Sequence, residues 1–208
     1  MMYTPPLPEL LERWIQGWCL TRGIVSERAA NGRLVHVCAE TRVAEYFVVS
    51  PTGEELDQVA KLANGRTDVW VTVLGCLPKA QPDGLADVTY DERMMMTEMG
   101  SRTPPDGIEV KSSHLVASAA AKVNGDTAAR GQVAVTGSDA VFDRIGTEYA
   151  FRRQGFAGRI MIGLEHWAVS QGAETGLLMA SAEGRPLYDS LGWREIAPLK
   201  TFRGHRSK

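Results

Sequence analysis

The sequence predicts an α/β fold in which a mixed, mostly antiparallel sheet is flanked by helices, with an N-terminal α/β extension. Three observations predict it. A strand-like run at residues 140–147 enters a basic, glycine-containing turn, and apolar residues at helical spacing follow until Gly172. Asn124-Gly125 separates two more strand-like runs, which is typical of a hairpin because both residues tolerate positive φ. The mostly apolar run at 174–181 indicates a central strand that is buried on both faces.

A helix is predicted near the N-terminus. Apolar residues recur at i, i+3 and i+4 from Pro8 to about Leu20, and Gly23 ends the pattern. We expect Trp14 and Trp18 of this helix to pack on the protein's own sheet. The alternative is a ridge that binds a partner.

Strands and a second helix are predicted in the rest of the first hundred residues. Thr52 caps that helix, and Asn64-Gly65 ends it. In the methionine run 94–96, the middle side chain must face the opposite side of its strand from the other two. We expect these methionines in the sheet core, with a plastic pocket as the alternative. The predicted strands are 33–39, 44–50, 68–74 and 88–99.

A segment rich in Pro and Gly, residues 101–107, is the expected linker between two units. Residues 1–100 would form the N-terminal α/β subdomain, and residues 108–208 the second domain. After the turn and the buried strand, we expect a short helix at about 183–191 and a closing pair of strands at 193–196 and 200–203.

Charge and composition narrow the function classes. The formal net charge of −2 gives no reason to expect a nucleic-acid partner. From Ala150 onward, however, nine Lys/Arg stand against five Asp/Glu, a local charge of +4 that suits a phosphorylated cofactor. Solvated surface arginines are the alternative. We see no signal peptide and no membrane span, so we expect a soluble cytoplasmic protein.

The three cysteines do not indicate a metal site or a disulfide framework. Cys19, Cys38 and Cys76 are widely spaced, form no C-x-x-C pattern and are accompanied by no H-E-x-x-H motif. We expect three reduced thiols and no metal.

The turn at residues 152–158 is predicted to bind a phosphate or pyrophosphate. Gly155 has no Cβ and Ala157 is small, so an anion can approach the backbone. The N–H groups of about residues 152–157 would point at one spot, with the positive end of the helix behind it. Arg152 and Arg153 can add charge-assisted hydrogen bonds. The alternative is a structural joint that binds nothing.

Two motifs support a family resemblance over about residues 108–203. The first is the run Arg-Arg-Gln-Gly-Phe-Ala at 152–157, with a strand before it and Gly158 after it. The second is Tyr188-Asp-Ser-Leu-Gly192-Trp193, one strand further along the chain. They are similar to the Arg/Gln-x-x-Gly-x-Gly/Ala signature and the Tyr-x-x-x-Gly-aromatic ending of the GCN5-related N-acetyltransferase (GNAT) superfamily.

The resemblance implies an acetyl-coenzyme A-dependent N-acetyltransferase that uses direct transfer. The family's fourth and fifth strands splay at a β-bulge, so the pantetheine arm would lie here between residues 145–147 and 178–181. The family often has Asn where this chain has Ser181. The cofactor-binding residues implied are Ile145, Gly146, Thr147, Arg152, Arg153, Gln154, Gly155, Phe156, Ala157, Gly158 and Ser181.

The resemblance also implies a general acid, Tyr188, which would protonate the departing thiolate. An ordinary phenol, with a pKa near ~10, is protonated at neutral pH. The alternative is a core tyrosine with a satisfied hydroxyl. Asp143 is the candidate base; if strand alternation holds, it points the same way as Ile145 and Thr147. A structural ion pair of Asp143 with an arginine, Glu148 as the base, and a water chain remain open.

The acceptor is expected to be an amine of a small molecule or peptide, and the resemblance implies a homodimer. The first hundred residues would be either an added or degenerate second unit of the same kind, or the donor of strand 88–99 to the main sheet. Two other functions stay open. One is a non-catalytic acyl-coenzyme A-binding or regulatory protein, and the other is an acyltransferase for protein or aminoacyl-RNA ends.

Overall fold

The computed structural model describes residues 4–29, 31–76, 82–100 and 102–205, so Ser101 of the predicted linker lies outside the described residues. A 3₁₀ turn at Tyr149–Phe151 precedes the third helix. The helices are α1 (Leu7–Arg22), α2 (Gly53–Ala63), α3 (Phe156–Ser170) and α4 (Arg185–Ser190). The strands are β1 (Val25–Ala29), β2 (Gly32–His36), β3 (Ala44–Val49), β4 (Val69–Leu74), β5 (Leu85–Glu98), β6 (Ile108–Ser113), β7 (Val116–Val123), β8 (Asp126–Thr136), β9 (Asp139–Thr147), β10 (Thr175–Ser181) and β11 (Arg194–Gly204).

These strands form one 11-stranded sheet in the order β1-β2-β3-β4-β11-β5-β10-β9-β8-β7-β6. Within the described residues, the parallel neighbours are β3–β4 and β9–β10, and the other neighbours are antiparallel. The predicted class, a mixed and mostly antiparallel sheet flanked by helices, is confirmed.

Two long strands are exchanged between the halves of the chain. β5 follows β4 in sequence, yet it pairs with β10 and β11. β11 follows β10 and the short helix α4, yet it pairs with β4 and β5. The first hundred residues therefore do donate a strand to the main sheet. The division into domains at residues 101–107 stays a prediction.

Helix α1 lies across one face of the sheet. Its Trp14 and Trp18 stack with their ring centroids 4.9 Å apart, and both rings contact Phe47 of β3 at 5.7 Å. Both tryptophans are buried in one apolar cluster with Phe47. Packing of this helix on the protein's own sheet is confirmed. Gly23 caps the helix in the left-handed conformation, as its position predicts.

Helices α2 and α3 pack on the opposite face. Met94 and Met96 belong to the α1 cluster, whereas Met95 packs with residues of α3. The alternation predicted for the three methionines is confirmed, and all three are core residues. Helix α2 packs on Val48 and Val71, whose side chains point to the face of the sheet opposite α1.

The turn predicted from local sequence is correct, but some of the strands differ from the prediction. The turn Asn124-Gly125 has φ of 53° and 94° and joins β7 to β8, so the predicted hairpin is confirmed. The predicted closing pair of strands is wrong, because 193–196 and 200–203 lie in or beside one strand, β11. Two register shifts around Pro198 bend this strand without ending it. Strands β1 and β6 are absent from the sequence prediction: β1 has no apolar alternation, and in β6 the alternation is limited to Ile108 and Val110.

Candidate functional site

Strands β9 and β10 run side by side only at their beginnings. Their pairing extends from Asp139↔Thr175 to Val141↔Leu177. Beyond that point β9 continues along β8 and β10 continues along β5, so the two strands diverge. A slot therefore opens between their carboxyl-terminal ends, and each strand presents an unpaired backbone edge to it.

A bulge in β9 lies in this diverging stretch. Between the register pairs Gln132↔Asp143 and Arg130↔Gly146, two residues of β9 oppose the single residue Gly131. One of the two, Arg144, has φ of 55°. A larger residue would not fit at position 131 without a shift of its neighbours, because a Cβ there would lie 2.4 Å from Cδ1 of Ile145.

The bulge reverses the side-chain alternation of β9. The carboxylate of Asp143 bonds to α1, whereas Ile145 packs against the cluster under α3. The expectation that these two side chains point the same way is therefore wrong, because the extra residue at the bulge turns the strand over.

The turn that follows the slot leaves a run of backbone N–H groups open. Arg153 and Gly155 have φ of 62° and 79°, and α3 begins at Phe156 without a side-chain cap. Among the described residues, the N–H groups of 153–158 have no acceptor. The N–H of Arg152 differs, since it donates to the carbonyl oxygen of Tyr149 at 3.3 Å. The turn therefore presents successive donors at a helix N-terminus, which is the geometry that binds anions.

A cavity of about 550 Å³, which we call the turn cavity, covers this turn and the adjacent end of the slot. Gln154 is outside it and donates from its side chain to the carbonyl oxygen of Ala150 at 3.3 Å. The Arg152 guanidinium pairs with Glu183 at 2.8 Å, whereas Arg153 makes no ion pair with any described residue. Apart from Gln154, all the predicted cofactor-binding residues line the cavity: Ile145, Gly146, Thr147, Arg152, Arg153, Gly155, Phe156, Ala157, Gly158 and Ser181.

A second cavity of about 260 Å³, the aromatic cavity, lies between α1 and the sheet. Ile145, Ser181 and Tyr188 line both cavities, so the two meet at the slot. Its aromatic walls are Trp14, Trp18, Phe47 and Phe142, and its charged side chains are Arg22, Arg42, Glu45, Glu92, Asp143 and Arg144.

Tyr188 lies at the junction of the two cavities. The residue is only 8% exposed, and its hydroxyl makes no hydrogen bond to any described residue. Burial, with a smaller contribution from the charge of Asp143, raises the pKa of Tyr188 to about 12. The alternative for Tyr188, a core tyrosine whose hydroxyl is hydrogen-bonded to the protein, therefore does not hold among the described residues.

Asp143 lies in the aromatic cavity but is held by α1. Its carboxylate accepts hydrogen bonds from Arg22 at 2.8 and 2.9 Å, and from the Thr21 hydroxyl at 3.3 Å. This is the ion pair that the sequence left open as an alternative, and it ties α1 to β9. To accept a proton from a substrate, Asp143 would first have to give up Arg22. Glu148, another candidate base, is exposed and lines neither cavity.

Two glutamates of the aromatic cavity were missed by the sequence analysis. Glu45 accepts a hydrogen bond from Thr72 at 2.6 Å and pairs with Arg42 at 3.0 Å. Burial raises the pKa of Glu45. It also raises the pKa of Glu92, and the charge of Glu45 adds to this shift. Glu45 could have been recognised as an acidic residue inside the apolar strand 44–49. Glu92 lies in a polar run, where an acidic residue does not stand out.

Within the described residues, no group of three or more His, Cys, Asp or Glu could hold a metal ion. Across the same residues, no helix has the length and apolar character needed to span a membrane. The three cysteines are free thiols.

No family model matches the sequence, and no curated protein matches it. Solved structures do match. A protein described as a GNAT-family acetyltransferase from Novosphingobium aromaticivorans has a TM-score of 0.67 at 15% identity, over 97% of this chain and 99% of that one. A GCN5-related N-acetyltransferase from Kribbella flavida has a TM-score of 0.66 at 14% identity, over 97% and 96%.

A third match is a conserved protein of unknown function from Staphylococcus epidermidis, with a TM-score of 0.58 at 10% identity, over 87% of this chain and 93% of that one. Identities this low carry information on the fold alone. The first two matches extend over nearly the whole of both chains, so the shared fold is not confined to one half of this chain. The chain has the fold of the GCN5-related N-acetyltransferases.

Proposed function

We propose that this protein is an acetyl-coenzyme A-dependent N-acetyltransferase that transfers the acetyl group directly to an amine. The observation that carries the proposal is the meeting of the turn cavity and the aromatic cavity at Tyr188. One cavity offers donors to an anion, the other offers room to a second substrate, and an unbonded hydroxyl lies where they join.

The turn cavity would hold the coenzyme. The open N–H groups of 153–158 would donate to the pyrophosphate, and the free guanidinium of Arg153 would add a charge-assisted bond. The pantetheine arm would enter the slot between β9 and β10 and use the unpaired strand edges, as an added strand does. The thioester would then lie beside Ile145, Ser181 and Tyr188.

The chemistry would proceed in a ternary complex. The amine nitrogen attacks the thioester carbonyl carbon while a backbone N–H of β9 stabilises the oxyanion. As the carbon–sulfur bond breaks, the Tyr188 hydroxyl gives its proton to the sulfur. Because the pKa of Tyr188 is raised to about 12, the phenol keeps its proton throughout the neutral range and is available as the acid. Asp143 is a candidate base only after release from Arg22.

The experiment is the substitution Tyr188→Phe, with Tyr46→Phe on β3 as the matched control away from both cavities. Loss of a general acid should lower kcat by roughly 10²- to 10⁴-fold. Calorimetric titration should show acetyl-coenzyme A affinity within about twofold of wild type, because Tyr188 is on α4 and its hydroxyl is not one of the donors of the pyrophosphate turn. Thiol release gives the rate.

The competing function is a protein that binds acyl-coenzyme A without catalysis. It predicts coenzyme binding in the wild type and no thiol release with any amine tested. Absence of coenzyme binding at millimolar concentration contradicts both functions.

A further inference from the structure

Of the six charged side chains that line the aromatic cavity, four form ion pairs with one another and two, Arg144 and Glu92, make no ion pair with any described residue. Arg22 pairs with Asp143 and Arg42 pairs with Glu45. Arg144 is exposed at the rim, where water screens its charge. Glu92 lines the cavity and makes no ion pair or side-chain hydrogen bond with any described residue. The interior of the cavity therefore has an unmatched negative charge.

Glu92 lies on β5, which β10 separates from the slot. In the register of β5 and β10, Glu92 is directly opposite Ser181, which lines both cavities. Opposed residues share a face, and their Cβ atoms are ~5 Å apart. Met94 and Met96 show that this face of β5 is the one that α1 covers. The carboxylate therefore lines the aromatic cavity one strand away from the slot in which the thioester is expected.

The rest of the cavity suits a small apolar body. Trp14, Phe47 and Phe142 are buried, and they offer ring surfaces. Arg22 already lies over the Trp18 ring at 4.9 Å, so that face is not available to a substrate cation. The volume, about 260 Å³, is below the ~300–1,000 Å³ of sites for drug-sized ligands.

We propose that the acceptor is a small primary amine with an apolar body, and that Glu92 binds its ammonium group and takes its first proton. This inference rests on the proposed function, and it assigns the acceptor class and a catalytic residue of that site. The ammonium gives one proton to the Glu92 carboxylate, which releases it to solvent. The free amine forms the carbon–nitrogen bond as the carbon–sulfur bond breaks. Tyr188 protonates the sulfur, and the second proton from nitrogen restores the phenol.

Glu92 has the surroundings that a base needs. Its pKa is raised by burial and by Glu45, so it holds a proton more readily than an exposed carboxylate does. Arg42 acts in the opposite direction. The charged and titratable groups that face the same cavity are Arg22 of α1, Arg42 and Glu45 at β3, Asp143 and Arg144 of β9, and Tyr188 of α4.

A binding test does not depend on turnover. Trp14 and Trp18 line the cavity, so their fluorescence should report its occupancy. The probes are phenethylamine, the uncharged phenethyl alcohol and the anionic 3-phenylpropanoate. We expect phenethylamine to bind at least tenfold more tightly than the other two, and Glu92→Gln to remove that preference. Equal binding of the amine and the alcohol, or no binding of the amine, overturns the inference.

Kinetics test the proton transfer. With phenethylamine and acetyl-coenzyme A, Glu92→Gln should lower kcat/KM at neutral pH by at least 100-fold and move the acidic limb of its pH profile upward, because the variant can use only amine that is already deprotonated in solution. Glu98→Gln is the matched control, an exposed glutamate on the same face of β5. Unchanged kinetics, or an acidic limb at the same pH as in wild type, in Glu92→Gln overturns the inference.

These outcomes are distinguishable from failure of the proposed function. Calorimetry of acetyl-coenzyme A with wild type and Glu92→Gln tests coenzyme binding, and Glu92 is outside the turn cavity. If the coenzyme binds and amines are acetylated without the ammonium preference, only the assignment of Glu92 is wrong. If the coenzyme does not bind, the proposed function itself is wrong.

Discussion

The molecule contains two parallel strand–helix–strand units that differ in how far their strands pair. In the first, β3–α2–β4, the strands pair along their whole length, from Ala44↔Val69 to Val49↔Leu74. In the second, β9–α3–β10, pairing stops at Val141↔Leu177, and the strands then separate. Each unit is followed by a long strand that crosses into the other half of the sheet. The two units share a topology, but the strands of the first stay paired, whereas those of the second separate and leave a slot between them.

The helix starts differ in the same way. In α2, the Thr52 hydroxyl accepts from the Glu55 N–H at 3.3 Å, and the Glu55 carboxylate accepts from the Thr52 N–H at 2.8 Å. In α3, no side chain caps the first turn, and the preceding N–H groups are free of acceptors among the described residues. The comparison teaches that a binding site forms where local pairing is left incomplete.

The largest expected effect comes from Gly155→Val. A branched side chain at φ of 79° strains the turn, and its methyl groups would occupy the space of the phosphate. We expect acetyl-coenzyme A affinity, measured by calorimetry, to fall by roughly 100-fold. Gly53→Val in α2 is the control, since a Cβ there also meets no atom within 4 Å. A similar loss in both variants contradicts the distinction between the two helix starts.

The bulge is tested by Gly131→Ala. The added Cβ would lie 2.8 Å from Cγ2 of Ile160, which is buried under α3. We expect the free energy of unfolding, measured in urea, to fall by about 2 kcal/mol as the core is overpacked. Gly53→Ala in the unit without a bulge should leave stability within about 0.5 kcal/mol of wild type. Full stability of Gly131→Ala would show that the bulge can form without a glycine opposite it.

The two arginines of the open turn should differ. Arg153 has no ion-pair partner among the described residues, whereas Arg152 is paired with Glu183. We expect Arg153→Gln to lower acetyl-coenzyme A affinity about tenfold at low salt, and less at high salt. Arg152→Gln should lower acetyl-coenzyme A affinity by a smaller factor, because Glu183 already neutralises part of the charge of Arg152. Losses of equal size, or independent of salt, would exclude this role for Arg153.

The smallest effect is expected in the closed unit. Thr52→Ala removes the cap of α2 and should lower the free energy of unfolding by about 1 kcal/mol. Thr52→Ser keeps the oxygen and should restore most of this stability. Coenzyme affinity should be unchanged in both variants, and a weaker affinity would mean that the first unit contributes to the site.

Sequence reasoning succeeds where the determinant is local. The Asn124-Gly125 turn, the Thr52 cap and the glycine turn at 155 each depend on a few adjacent residues, and each is recognised from them. The bulge is partly accessible. Gly131 inside a strand is a known sign of a bulge, and reading it would have corrected the orientation expected of Asp143.

The aromatic cavity could not be found in this way. Glu45, Glu92 and Asp143 lie on three strands that are far apart in sequence, and β5 and β11 bring them together only by crossing between the halves. The ion pair between Arg22 and Asp143 joins residues 121 positions apart. Contacts of this kind leave no periodic pattern in the chain, so composition and spacing cannot reveal them.

The exchange of β5 and β11 has a consequence for the integrity of the molecule. Each half of the chain completes the other's hydrogen-bonded ladder, so neither carries a full set of strands on its own. We therefore expect the two halves to stay associated through these strand pairs after a backbone nick at residues 102–107, as the two chains of a heterodimer do.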